Sequence, residues 1–185
     1  MLIDGDDEFI GKYAFQVMNS AYQQKRDVWI AYSNYKTNLF IYGISRPYKS
    51  RHSHANGKKR VSGTFIGPIR TWRVKLVRSI PKEHHQMKNG KWLDSCYDDA
   101  IAHPLVELAG FERTAYIPEI FYEYNTFYGD NDDATQERVM HRLEIYAHIL
   151  TIPVLDQLKS LAETKKDPVI EKELNADWKK KFKLL

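Results

Sequence analysis

The chain opens on Leu2-Ile3 and then Asp4-Gly5-Asp6-Asp7, three carboxylates within four positions. Hard divalent cations such as Mg²⁺ and Mn²⁺ take oxygen ligands, and they commonly bridge one or two carboxylates to the phosphates of a substrate. A short apolar run ending in such a cluster reads as a buried strand that opens into a metal site. Gly5 lets the backbone turn tightly between the acids because it has no Cβ. The same residues also suit an acidic helix start, with Asp7 as N-cap and Glu8 favoured by the helix dipole. On these residues alone both readings stand.

The elements that must position this chemistry belong to one globular domain. The chain has 185 residues, a net charge of +4 and 12 tyrosines, enough apolar and aromatic material for a sizeable core. A single cysteine, Cys96, excludes an internal disulfide and a cysteine-based zinc cluster, and fits a soluble protein of a reducing, cytoplasmic compartment. No apolar run reaches the roughly 20 residues of a membrane helix. No secretory leader precedes the acids.

Phe9, Ile10, Tyr13, Ala14, Val17, Met18, Ala21 and Tyr22 recur at three- and four-residue spacing and predict a helix. Val28 to Tyr32 predicts a buried strand and Leu39 to Ile44 another. Residues 45–63 are rich in Arg, Lys and His and poor in aliphatic residues, and predict an exposed loop. Ile69, Trp72, Leu76, Val77 and Ile80 have helical spacing, closed by Pro81. A turn is expected at Asn89-Gly90. Asp98 or Asp99 then caps a helix through Ile101, Leu105 and Leu108 that ends near Gly110, with Pro104 kinking it or delaying its start. Thr114 to Tyr124 contains Pro118 and predicts an edge strand or two short strands. Asp133 with Gln136 resembles a capping box, opening a helix whose buried face is Val139, Leu143, Tyr146, Ala147 and Leu150. Strands alternating with helices indicate a mixed α/β layer.

Five segments in order, Leu-Ile-Asp-Gly-Asp-Asp (2–7), Asp-Val-Trp-Ile-Ala-Tyr (27–32), Ile-Arg-Thr-Trp-Arg-Val (69–74), Tyr-Asp-Asp-Ala-Ile (97–101) and Ile-Pro-Glu-Ile-Phe-Tyr-Glu-Tyr-Asn (117–125), together resemble one family. It is the C-terminal half, from the DXD motif onward, of family 2 glycosyltransferases of the GT-A fold. The resemblance implies that residues 1–133 are the acceptor and metal half of a GT-A α/β sheet, with 134–185 a C-terminal helical extension. The half that binds the nucleotide precedes the DXD motif in that family, so the chain starts where that half should end.

Inverting, metal-dependent transfer of a sugar from a nucleotide-diphospho-sugar to an acceptor hydroxyl is the implied reaction. By resemblance Asp4 and Asp6 are the DXD carboxylates, with Asp6 the direct ligand of Mn²⁺ or Mg²⁺ and Asp4 a nucleotide or metal-water contact. Asp7 is then a supporting residue or a cap. Asp98 aligns with the family's catalytic base, against the alternative that it caps its helix; Asp99 reads as cap or solvent-exposed. Arg70 could contact phosphate or acceptor, or form a structural ion pair. Trp92 could stack on a sugar ring, while Trp72 belongs to the core. Among the histidines, His84-His85 read as exposed, His103 as buried, and His141 and His148 as sharing a helix face. The basic stretch from Arg46 to Arg60 fits a loop over the substrate better than a nucleic-acid patch, since no RNA-binding signature accompanies it.

Two functions therefore compete: a transferase, or a catalytically silent scaffold derived from one and built into a larger assembly. In both, Leu2-Ile3 and the strand at 28–32 should belong to a sheet completed elsewhere. The exposed sheet edge would then favour association with another polypeptide or a second copy.

Overall fold

The computed structural model describes residues 7–24, 27–37, 42–43, 45, 55–56, 59–60, 66–125 and 135–161. Its centre is a five-stranded mixed sheet. Strand β1 (Glu8–Phe9) leads to helix α1 (Ala14–Gln24) and then to β2 (Ile30–Thr37). Next come β3 (Tyr42–Gly43) and a separate hairpin of β4 (Ala55–Asn56) and β5 (Lys59–Arg60). β6 (Arg70–Trp72), α2 (Val74–Val77) and α3 (Tyr97–Ala109) precede β7 (Thr114–Tyr124), and α4 (Gln136–Thr151) follows. The α/β expectation is correct. No helix among the described residues is long and apolar enough to cross a membrane.

β2 and β7 form the spine of the sheet. They pair in parallel from Ile30↔Thr114 to Thr37↔Tyr124, with α3 in the crossover between them. A parallel pair requires such a crossover, and it buries both faces of the strands it joins. One face of β2 carries Ile30 and Tyr32 against Leu105 and Val106 of α3; the other carries Ala31, packed with Ala14 and Met18 of α1. The far edge of β2 is occupied as well, by β6 at Ile30–Tyr32 and by β3 at Tyr35–Lys36. The 28–32 strand, expected in a sheet completed by strands outside this chain, therefore finds partners on both edges within it. Leu2-Ile3 lie outside the described residues.

Several elements differ from their sequence patterns, each for a tertiary reason. Phe9 is in β1, paired with Tyr122, so the helix begins only at Ala14. The apolar spacing through Ile69 and Trp72 is a strand, because pairing with β2 outweighs a helical pattern. Helix α2 begins after it and covers one turn. Thr114 to Tyr124 is one strand beside β2, and Pro118 falls where the register shifts between Ser33↔Ile117 and Asn34↔Ile120. There Asn34 Nδ2 donates to the Pro118 carbonyl at 3.0 Å, a bond that stands in for the ladder. Pro104 sits within a continuous α3. Gly110, at φ +76°, ends that helix, and a Cβ there would run into the Gln157 side chain.

Helix α4 is capped by Thr135, whose hydroxyl accepts the Arg138 amide at 3.4 Å; Asp133 lies outside the described residues. Its buried residues are Ile145 and Ile149, which pack on Leu93 and Ala100. Of the stripe expected along one face, Val139, Leu143 and Ala147 are exposed, with Met140 beside them, while Tyr146 and Leu150 are half-buried. The helix is apolar on two sides, and spacing alone favoured the wrong one. After Thr151 the helix stops, and Leu155, Leu158 and Leu161 fold back onto the core beside α3.

The basic stretch is not wholly a solvated loop. Arg60 is buried, and its Nε and Nη2 donate to the two oxygens of buried Glu107 at 2.7 and 3.0 Å. Its Nη1 donates to the Ile149 carbonyl at 2.9 Å, near the end of α4. Glu107 also accepts the Leu155 amide at 3.0 Å. One ion pair thus joins the hairpin, α3, α4 and the returning chain.

His84, expected on the surface, is buried beside that pair, its Nδ1 3.4 Å from Arg60 Nη2. Burial first, and the Arg60 charge second, push its pKa down from 6.5 to about 4. A histidine that resists protonation in the fold but not in the unfolded chain supports stability above about pH 6.5 and withdraws it as pH falls toward 4. Melting temperature is expected to drop across that window in the parent and to drop less in His84→Gln. Superimposable pH profiles for the two would refute this role.

Candidate active site

Gly110 and a short 3-10 turn connect α3 directly to the start of β7, where the Trp29 amide donates to the Arg113 carbonyl at 2.8 Å. Helix α3 therefore runs back along the parallel pair, and its first turn reaches Arg70, which pairs with Tyr32 in the first half of β2.

Asp98 and Asp99 occupy that first turn. Neither caps the helix: the N-cap is Cys96, at φ 54°, and no side chain makes the capping bond. The two acids face different neighbours. Asp98 Oδ2 lies 3.6 Å from Arg70 Nη2, and 54% of its side chain remains exposed. Burial, with the Asp99 charge second, raises the Tyr146 pKa, while Cys96 is raised by burial and by the charges of both acids. The Cys96 thiol thus stays protonated at neutral pH and is a poor nucleophile.

Arg70 is held by the sheet. It pairs with Tyr32 across β6 and β2, and its side chain is 12% exposed. Its Nε is buried without a hydrogen-bond partner among the described residues. Two residues singled out from sequence, Arg70 and Asp98, are therefore brought together. Trp92 is not brought to them by any described contact: it is 64% exposed, on a bridge to Gln86. Trp72 packs at the margin of the core as expected, though from a strand.

Asp4 and Asp6 lie outside the described residues. Asp7 is described, and it is no helix cap, since α1 starts at Ala14 and Glu8 is in β1. Its Oδ2 accepts the Tyr122 hydroxyl at 2.6 Å and its Oδ1 the Asn125 amide at 2.7 Å. These bonds tie Asp7 to the C-terminal end of β7.

The histidines contribute to structure. His103 is fully buried, as expected. His141 Nε2 lies 2.8 Å from Asp94, and His148 Nε2 lies 2.8 Å from the Gln86 carbonyl; both fasten α4. Among the described residues, no group of three or more His, Cys, Asp or Glu side chains is placed to hold a metal ion. Two adjoining hollows, of about 390 and 370 Å³, lie between residues 83–90 and α4. Neither includes Arg70 or Asp98, and both are shallow and largely apolar.

Two clusters escaped the sequence reading. Glu107 was visible as a lone acid inside the apolar run Leu105-Val106-Glu107-Leu108-Ala109, and that isolation signals a buried cationic partner. The second is Asn34 with Tyr116, joined by a 2.7 Å hydrogen bond between residues far apart in sequence. No local pattern announces it.

Comparison of the chain with protein-family models, with curated proteins and with solved structures returns no match.

Proposed function

We propose that the chain is the acceptor and metal half of an inverting glycosyltransferase of GT-A type, acting on a nucleotide-diphospho-sugar. The observation that supports this most is the meeting of Asp98, in the first turn of α3, with Arg70 of β6, held at the level of Tyr32 and Tyr116 in the sheet. In that reading the acceptor hydroxyl attacks the anomeric carbon opposite the diphosphate. Asp98 takes its proton as the new C–O bond forms, and the bond to the diphosphate oxygen breaks. Exposure leaves Asp98 accessible to the acceptor, and Arg70 fixes its orientation.

Asp6 and Asp4 would hold the divalent cation. Both Asp7 oxygens are already engaged by Tyr122 and Asn125, and carboxylate oxygens suit Mn²⁺ or Mg²⁺. When bound, the cation stabilises the charge developing on the leaving diphosphate.

The test is thermal. Mn²⁺ at 100 times its Kd is expected to stabilise the chain by about 2.7 kcal/mol, and Asp6→Asn to abolish that gain. Equal stabilisation of variant and parent would remove the metal site, and with it this function.

A further inference from the structure

The hairpin of β4 and β5 is a sheet of its own, separate from the five-stranded one. Among the described residues, the hydrogen bonds that fasten it to the rest of the protein all come from the Arg60 side chain. One buried guanidinium therefore latches this hairpin to α3, to α4 and to the 3-10 turn at Lys82–His85.

His84 sets how that latch fails. Arginine has donors and no acceptor, so His84 Nδ1 accepts from Arg60 Nη2, and the neutral ring carries its proton on Nε2. A second proton has to go to Nδ1. It would set N–H against N–H and charge against charge at 3.4 Å, with both groups buried. A better partner stands close by. Glu107 Oε2 accepts from the same Nη2 at 3.0 Å, so no more than those two lengths laid end to end separates carboxylate from imidazole. Glu83 and His85, beside His84 in its own turn, act on it less than Arg60 and Glu107 do. His148 of α4 is engaged by the Gln86 carbonyl.

We propose that Arg60 and protonated His84 are alternative partners of Glu107, and that acid exchanges one for the other. At neutral pH the guanidinium holds Glu107, the Ile149 carbonyl and His84. When the ring takes a proton from solvent, its Nδ1–H turns to the carboxylate, the Arg60 bonds break, and the cation leaves with its hairpin. The interior holds one positive and one negative charge in either state, so Glu107 is never a buried charge without a partner. Its bond to the Leu155 amide persists, so the returning chain stays on α3. The opening is local, and it is distinct from the general loss of stability that His84 also brings. It does not depend on the transferase chemistry. With the latch closed the His84 pKa is about 4, against 6.5 for a free ring, so a fall in pH through that window favours the open state by roughly 10²–10³-fold.

The experiment follows hydrogen exchange at the Arg60 Nε–H by ¹⁵N NMR in the full chain, from above pH 6.5 down to 4. His84→Gln, measured at each pH, cancels the intrinsic pH dependence of exchange. Protection of the Arg60 Nε–H in the parent, relative to the variant, is expected to fall by roughly 10²–10³-fold. The Trp29 and Ser33 amides, bonded to Arg113 and Ile69, should keep theirs. The Glu107 carboxyl ¹³C shift should remain that of a carboxylate at the acid end. Equal protection of Arg60 in parent and variant would remove His84 as the trigger. Loss of Arg60 and sheet protection together would mean that acid unfolds the whole domain and that there is no latch. A Glu107 carboxyl that takes up a proton as Arg60 is released would overturn the exchange of partners. Should the variant fail to fold, the parent decides alone: a constant ratio of Arg60 to Trp29 protection across the window overturns the proposal.

Discussion

Glu107→Ala is expected to destabilise the fold by about 3–5 kcal/mol, the cost of leaving one partner of a buried ion pair behind. The mechanism is specific to this site. Arg60 would keep its charge inside the protein, with the Ile149 carbonyl and the neutral His84 ring its remaining partners in the network. The Leu155 amide would lose its acceptor, loosening the returning chain at the same time. A domain of ordinary stability has about 5–15 kcal/mol in all, so the variant should lie near its folding threshold. Chemical denaturation measures the loss directly. The double variant Arg60→Met with Glu107→Leu should recover much of it, because removing both charges also removes the cost of burying them. A single-variant loss below about 1 kcal/mol would show that the pair is solvated and the brace is not one.

The second large effect concerns chemistry. If the chain is the proposed transferase, Asp98→Asn preserves shape and removes its proposed proton acceptor, and turnover should fall by about 10²–10⁴-fold, the usual contribution of a positioned general base. Release of nucleoside diphosphate from a panel of nucleotide-sugars with Mn²⁺ is the readout. Asp99→Asn supplies the contrast: it shares the helix turn and the charge but acts on Tyr146, and should retain activity within a few-fold. Parental turnover in Asp98→Asn, or equal loss in both variants, would take the base role away from Asp98.

What could be read from sequence divides along the range of the interactions involved. The helix after Cys96 and its end at Gly110 were legible because helical spacing and a terminal glycine are local signals. The strand at Arg70–Trp72 was not, since its partner in β2 lies about forty positions upstream and no local pattern records the pairing. The two-sided α4 shows a different limit. Periodicity detects an apolar stripe, but Ile145 and Ile149 form as good a stripe as Val139 and Leu143, and only Leu93 and Ala100 decide between them. At the site, residue types marked Asp98 and Arg70, and the sheet explains why they meet. Asn34 and Tyr116 are ordinary strand residues until register sets them side by side.

The parallel pairing of β2 with β7 also bears on how the chain reaches this state. Asn34 and Pro118, hydrogen-bonded across that seam, are 84 positions apart. Closing so long a loop precedes any reward from the contacts it makes, which slows folding relative to chains of local contacts. At about 5–20 residues per second, the ribosome needs roughly 4–18 seconds after completing β2 to deliver the end of β7. Through that interval β2 has β3 and β6 as its partners among the described strands, and the edge that β7 will take is open. Slowing elongation past β2 would prolong that exposure, and lowering temperature during synthesis would weaken the hydrophobic driving force for wrong pairing in the meantime.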